Sequence, residues 1–243
     1  MTLMQRTRYC ARLATTPQDV AAAQALRFRV FRGGEGRDAD AYDATCDHML
    51  VEDRASGALV ATYRVLTLPS GADIERSYSS QFYALGALKN YDSPIVEMGR
   101  FCIAPGGGDP DVLRVAWGAR ARYVDASGAE MLIGCSSFAG TDEEIYADAF
   151  AMLRDRHLGP RRWLPKIKAP KVFRFAHRLR RAPDNKRALQ SMPPLLRSYL
   201  SLGGWVSDHA VVDHDLDTLH VFTGLEIRAI PPKRARALRA IAV

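Results

Sequence analysis

Residues 96–113 read Val-Glu-Met-Gly-Arg-Phe-Cys-Ile-Ala-Pro-Gly-Gly-Gly-Asp-Pro-Asp-Val-Leu. The first eight are apolar enough for a buried strand, yet they carry Glu97 and Arg100. Three glycines follow (Gly106, Gly107 and Gly108), and Asp109-Pro110 opens a helix. Asp at the N-cap and Pro at the first helical position both suit the orphan N–H groups there. A strand, a glycine loop and a helix N-terminus together make a place for an anion, because free N–H groups converge with the positive end of the helix dipole. A carboxylate one strand-length away points to acid/base chemistry beside a phosphate-bearing carrier. A glycine turn that only reverses the chain reads the same, so the remaining sequence must decide.

Outward from this stretch, the order of elements is β-α-ββ-β-α-β-α. Tyr9, Ala11 and Leu13 alternate with Arg8, Cys10 and Arg12, as in a half-buried strand. Thr16-Pro17-Gln18-Asp19 starts a helix with Thr16 as N-cap, its core face carried by Ala23, Leu26 and Val30 and its end at Gly33-Gly34. Residues 35–47 are an acidic loop, with Asp38, Asp40, Asp43 and Asp47, that has room for one helical turn. Residues 48–53 and 58–66 form a hairpin. A short helix is predicted near Gln81–Leu88. A longer one over 110–126 is held by Val112, Val115, Ala116, Ala119 and Tyr123 and ends near Gly128. Met131–Phe138 is a buried strand, and Gly140-Thr141-Asp142-Glu143-Glu144 reads as a capping box for a helix to about Arg154. Pro193-Pro194 opens a further helix to Leu202. Ala210–Asp213 and Leu219–Leu225 close the sheet, and a basic tail follows Pro231-Pro232.

The 243 residues are 47% hydrophobic, enough to bury a full core. Cys10, Cys46, Cys102 and Cys135 are scattered without metal-ligand spacing, which argues for reduced thiols in an intracellular protein and against a disulfide scaffold or a zinc site. No run approaches the ~18 apolar residues of a membrane span. The net charge of +7 is unevenly spread: residues 1–150 hold 15 Lys and Arg against 20 Asp and Glu, whereas 151–243 hold 19 against 7. Residues 154–187 alone hold 13 basic residues and two acids, interleaved with Trp163, Phe173 and Phe175. Such a block is either a solvated basic face or a surface for an acidic partner. Nucleic acid is disfavoured, because the acidic first half and the buried Glu97 have no place in that reading. These features divide the chain into a core over 1–153, a basic insertion over 154–190 and a completion over 191–243.

Several motifs, in order and spacing, carry a resemblance over nearly the whole chain. They are Arg27-Phe28-Arg29-Val30-Phe31, Asp40 and Asp43, Cys46-Asp47-His48 and Tyr63-Arg64-Val65-Leu66, then Glu97-x-Gly-Arg100-x-Cys102, Gly134-Cys-Ser-Ser-Phe-x-Gly-Thr141 and Leu-Arg-Ser-Tyr-Leu-Ser-Leu-Gly203. The sequence resembles the ornithine lipid-forming N-acyltransferases, a branch of the GNAT superfamily similar to the acyl-homoserine-lactone synthases. The resemblance implies the α/β GNAT fold, a mixed central sheet flanked by helices, with the basic stretch as an elaboration. It also implies transfer of a 3-hydroxyacyl group from acyl carrier protein to an amino acid's α-amine, giving a lyso amino-acid lipid. The donor's phosphopantetheine arm would enter a V-shaped gap between the fourth and fifth strands of that fold, and no cofactor would stay permanently bound. The Trp that lactone synthases carry after the first helix is absent at Arg32-Gly33-Gly34, which weakens the alternative of an S-adenosylmethionine-dependent lactone synthase. A family Phe-Asn-Thr stretch is replaced by Leu216-Asp217-Thr218, so glutamine or lysine stands beside ornithine as acceptor.

The site expected from this resemblance has Glu97 and Arg100 as catalytic residues. Arg64, Asp40, Asp43, Arg27, Phe31, Phe101, Cys102, Ser136 and Phe138 would bind substrate, with Ile103 and Gly106–Gly108 along the phosphopantetheine arm. No metal is expected. A buried carboxylate such as Glu97 takes the proton an amine must lose to attack a thioester, while backbone N–H in the central strand stabilises the oxyanion. A straight strand points residues 97 and 100 to opposite faces, and a bulge near Gly99 brings both to one side. Arg64 and Arg100 suit an acceptor carboxylate, or else pair with Asp40 or Asp43. Those two aspartates suit the acceptor's side-chain amine, and His48 reads as a packed histidine. The basic segment then docks the acidic carrier and, through its aromatics, an anionic membrane surface. The expected location is cytoplasmic, peripheral to the inner membrane.

Overall fold

Thr16 caps the first helix as the sequence predicts: its side chain accepts from the Asp19 N–H while Asp19 reaches back to the Thr16 N–H. The computed structural model describes the chain over residues 2–6, 8–106 and 109–241. The strands are β1 (Thr2–Arg6), β2 (Tyr9–Leu13), β3 (Asp47–Asp53), β4 (Leu59–Leu68), β5 (Tyr83–Ala84), β6 (Ile95–Ile103), β7 (Met131–Ala139), β8 (Lys166–Ile167), β9 (Val172–Phe173), β10 (Trp205–Asp213) and β11 (Thr218–Glu226). The α-helices are α1 (Pro17–Phe31), α2 (Pro110–Ser127), α3 (Ala147–Arg156), α4 (Phe175–Arg178), α5 (Asn185–Ser191), α6 (Pro194–Ser201) and α7 (Pro232–Ile241).

The chain forms two units. The first comprises the residues up to Thr67, Val96–Ala129 and those from Pro232 on. Its strands lie in the order β1-β2-β3-β4-β6, and the ladders from β1 to β4 are antiparallel. The β3–β4 register sets His48 opposite Arg64 and Met49 opposite Tyr63. Directly opposed residues share a face and neighbours alternate, so His48 and Arg64 lie on one face and Met49 and Tyr63 on the other. The second face packs on α2, where the buried Tyr63 hydroxyl donates to the Ala116 carbonyl at 3.0 Å. Asp109 caps α2 by accepting from the Asp111 N–H, Pro110 stands in its first turn, and Gly128 ends it in the left-handed region at φ 65°. These boundaries match the sequence reading closely.

The second unit comprises Leu68–Ile95 and Glu130–Pro231. Its strands run β7-β11-β10-β9, with antiparallel pairing throughout. One core holds Phe138, Phe150, Phe173, Phe175, Val206 and Val221. Basic residues 154–190 are therefore built into this unit and are not an insertion beside it: Phe173 pairs with Ala210, and β8 pairs with β5. Phe175 is fully buried and stacks on Phe150 at 5.1 Å, with Phe173 at 5.4 Å. Trp163 is half-buried against Tyr91 at 5.4 Å. Phe173 and Phe175 thus find room in the core, and they cannot serve a membrane surface.

Two smaller expectations also change. The helix near Gln81–Leu88 is instead the short strand β5 between 3₁₀ turns at Tyr78–Gln81 and Gly86–Asn90. Tyr83 is pulled into the core as a fully buried ring, and that burial overrides the helical spacing. Past residue 140 the cap is Asp142, which opens a 3₁₀ turn at Glu143–Tyr146 before α3 begins. Among the described residues no helix is long and apolar enough to cross a membrane.

Candidate active site

Three arginines and three aspartates meet in the first unit, where α1, the loop after it and strands β4 and β6 contribute one or more each. Arg64, from the His48 face of β4, is almost fully buried and engages Asp40 through two hydrogen bonds at 2.6 and 2.8 Å and Asp43 through one at 2.9 Å. Arg27, from the buried face of α1, grips both Asp43 oxygens at 2.9 and 2.8 Å. Its Nε stands 3.1 Å from Asp38, whose carbonyl accepts from Nη2. Arg100 from β6 reaches Asp40 at 3.2 Å and stands 3.5 Å from Asp38. The local fold makes this possible: Asp40 caps the 3₁₀ turn Ala41–Ala44 and Asp43 reaches back to the Asp40 N–H, so the turn itself positions both carboxylates.

The charges of the six groups balance, which lets them be buried together. Burial alone would raise the Asp43 pKa, but the Arg27 hydrogen bonds and charge outweigh it and hold the carboxyl well below the usual range. At Asp40 burial is outweighed in the same way by Arg64 and Arg100. Asp43 and Asp38 have side chains 8% and 5% exposed, whereas Asp40 is 27% exposed and is the carboxylate of the three that solvent reaches.

Glu97 acts on the same loop. It is 4% exposed on β6, and its charge acts on the 40–46 segment: after burial, Glu97 is the next cause raising the Tyr42 pKa. It also contributes, after burial and against Arg64, to lifting the Cys46 thiol to about 11. Arg100 reaches the same segment, so residues 97 and 100 face one side. The break that allows this lies beside Gly99, at Arg100, whose φ is 54°.

The other expected residues divide. Arg27 and Arg64 hold aspartates, because a planar fork and a carboxylate that are both buried satisfy one another first; neither is placed to grip an acceptor carboxylate. Cys102 is buried, and burial pushes its thiol up to about 12. Phe101 packs on Tyr63 at 5.9 Å, and Phe31 and Ile103 are half-buried. Gly106 adopts φ 81° in the turn after β6, while Gly107 and Gly108 lie outside the described residues. In the second unit Phe138 is a core residue 4.8 Å from Phe150, and Ser136 accepts from the Thr223 hydroxyl at 2.9 Å. His48 is a packed histidine. Its Nε2 donates to the Asp43 carbonyl at 3.1 Å, and burial lowers its pKa. Sequence reading gave Asp38 no role; its place in an acidic run was visible, its burial was not.

The acetyltransferase (GNAT) domain family matches residues 26–118. An L-ornithine N(alpha)-acyltransferase of Rhodobacter capsulatus is 33% identical over 241 residues, covering 93% of this chain and 92% of that protein. One of Rhizobium meliloti is 32% identical, covering 90% and 80%. Among solved structures, FeeM, an N-acyl amino acid synthase from uncultured soil microbes, matches 97% of both chains with a TM-score of 0.51 at 11% identity, a likeness of fold.

Proposed function

We infer the activity from a premise the relatives supply: the chain belongs to the L-ornithine N(alpha)-acyltransferase family and carries a GNAT acyltransferase domain. It moves a 3-hydroxyacyl group from the phosphopantetheine thioester of acyl carrier protein to the α-amine of ornithine, giving a lyso-ornithine lipid. The observation that carries this reading is Glu97, buried beside Tyr42 and a charge-balanced network whose accessible carboxylate is Asp40.

In this reading the amine nitrogen attacks the thioester carbonyl and its proton passes to Glu97, directly or through one water. The C–S bond then breaks, and the leaving thiolate takes up a proton. Asp40 faces the acceptor's side-chain ammonium. Arg100, whose contacts to Asp38 and Asp40 are the longest of the network at 3.5 and 3.2 Å, offers its guanidinium to the acceptor carboxylate. Arg27, Arg64, Asp38 and Asp43 hold these two in place. An acidic carrier would meet exposed Arg161, Lys166 and Arg180, which form no ion pair among the described residues.

The test is acyl transfer with purified protein, 3-hydroxyacyl carrier protein and L-ornithine, lysine or glutamine, followed by mass spectrometry. The expected product is N-acyl-ornithine retaining its carboxylate, with a donor KM that rises with salt because exposed pairs are screened. Turnover with acyl-CoA alone would remove the carrier. An acyl-homoserine lactone in place of an N-acyl amino acid would overturn the reading.

A further inference from the structure

The transfer reaction leaves the basic tail unused. From Ile227 on, the chain holds five cations, Arg228, Lys233, Arg234, Arg236 and Arg239, and no acid. Arg228 pairs with Glu130. The other four belong to α7, which lies against α2 within the first unit. Ala235 and Leu238, three apart and so on one side of the helix, are half-buried, whereas Lys233, Arg234, Arg236 and Ala237 are exposed. Lys233, Arg234 and Arg236 form no ion pair among the described residues.

Helix stability does not account for cations at these positions. Lys233 and Arg234 stand in the first turn, where the positive end of the helix dipole favours acids, and that turn has none. Lys233 and Arg236, three apart, repel each other, and α7 has no acid three or four positions away to relieve them. The basic block of the second unit differs: Arg162, Arg178 and Arg181 are paired with Glu226, Glu143 and Asp148. A helix with unrelieved positive charge on its outer side is complementary to an anionic surface. Its exposed positions select the kind of surface. Beside the cations they hold only Pro232 and Ala237, with none of the aromatic or large apolar anchors that fix a folded partner. Long basic side chains over such short neighbours suit a flat layer of anionic headgroups. With Ala235 and Leu238 on the half-buried side, the contact is one of charge and not of insertion.

We propose that α7 is an electrostatic docking surface for an anionic phospholipid bilayer, met by Lys233, Arg234 and Arg236 while the helix stays folded on the first unit. This moves the membrane contact away from Phe173 and Phe175, which are core. It does not rest on the transfer reading above, since none of these residues belongs to the Glu97 network.

The test is sedimentation of the whole chain with vesicles. Vesicles of equal parts phosphatidylglycerol and phosphatidylcholine should carry it down and vesicles of phosphatidylcholine alone should not. Raising salt from about 0.1 M to about 0.5 M should release it. The combined variant Lys233→Gln, Arg234→Gln and Arg236→Gln should bind the anionic vesicles about 100-fold more weakly. It should unfold at or above the wild-type temperature, because the self-repulsion is gone; if it unfolds earlier, Arg236→Gln alone serves, with a loss of about fivefold. The matching variant of the second unit, Arg161→Gln, Lys166→Gln and Arg180→Gln, should stay within about twofold of wild type. Equal binding to both kinds of vesicle, unchanged binding in the α7 variants, or a larger loss in the second-unit variant overturns the proposal. So does an α7 variant that keeps vesicle binding but raises the KM for acyl carrier protein, which makes the helix a protein-docking surface instead. Vesicle binding is read without turnover, so failure of the acyltransfer reading would leave this result standing.

Discussion

Strands β6 and β10 each break at one place, and each break brings together two side chains that alternation would separate. Glu97 and Arg100, three apart on β6, both reach the 38–46 loop. Asp208 and His209, adjacent on β10, hydrogen-bond to each other. The means differ. On β6 a single arginine sits in the left-handed region at φ 54° and is held by ion pairs to Asp38 and Asp40. On β10 two extra residues are absorbed, and one serine hydroxyl replaces a ladder bond. A charged network can hold a strained residue that a neutral strand would not, and β10 can take a longer bulge in the gap between its outer pairings to Leu158 and Phe173.

The largest expected effect lies at the first break. Glu97→Gln should lower kcat by about 10²–10⁴-fold, the range for a lost general base, while thermal unfolding stays near wild type. A folded variant with near-full turnover would make Glu97 a structural residue. Next comes the network that holds Arg100. Arg27→Ala leaves Asp38 and Asp43 buried without their main partner and should cost about 3–5 kcal/mol in urea unfolding. A loss below ~1 kcal/mol would mean that the network does not hold the loop.

The same network fixes an acid limit. Asp40 and Asp43 are held below the ordinary carboxylate value of about 3.9. Their contribution is therefore fully present above that value and is lost as pH falls through their lower folded-state values. Stability measured from pH 6 downward should hold to about pH 4 and then fall, and Asp43→Asn should flatten the fall. A slope unchanged in that variant would place the acid sensitivity elsewhere.

At the second break, Ser207→Ala leaves the Phe222 N–H buried without its acceptor and should cost about 1–3 kcal/mol, with Phe222 losing hydrogen-exchange protection. The smallest effect isolates the strain itself. Arg100→Gly and Arg100→Ala both lose the guanidinium, but only glycine adopts φ 54° freely, so the glycine variant should be the more stable by about 1 kcal/mol. In an unstrained strand the order reverses.

Much of the first unit was legible in the sequence because its signals are local. The Thr16 capping box, the 48–66 hairpin and the Asp109-Pro110 helix start depend on residues within a few positions of one another. The partners of the site were legible as a set: Arg64, Arg100, Asp40 and Asp43 do meet. Their division of labour was not. Whether Arg64 holds an acceptor or an aspartate depends on which carboxylate the loop delivers to it, and that is a matter of distance across 24 residues of chain.

By itself, the sequence determined the element order of the core, the helix caps, the likeness to amino-acid N-acyltransferases and the acidic and basic halves, since each is written in neighbouring residues or in ordered motifs. Only tertiary structure decided that Phe173 and Phe175 are core, that Asp38 belongs to the network, that Arg100 takes the left-handed conformation at the break in β6, and that Asp208 and His209 sit on a bulge of β10. Burial and strand register are set by contacts between segments far apart in the chain. A phenylalanine among lysines, or a histidine after an aspartate, reads the same whether it faces water or a neighbouring strand.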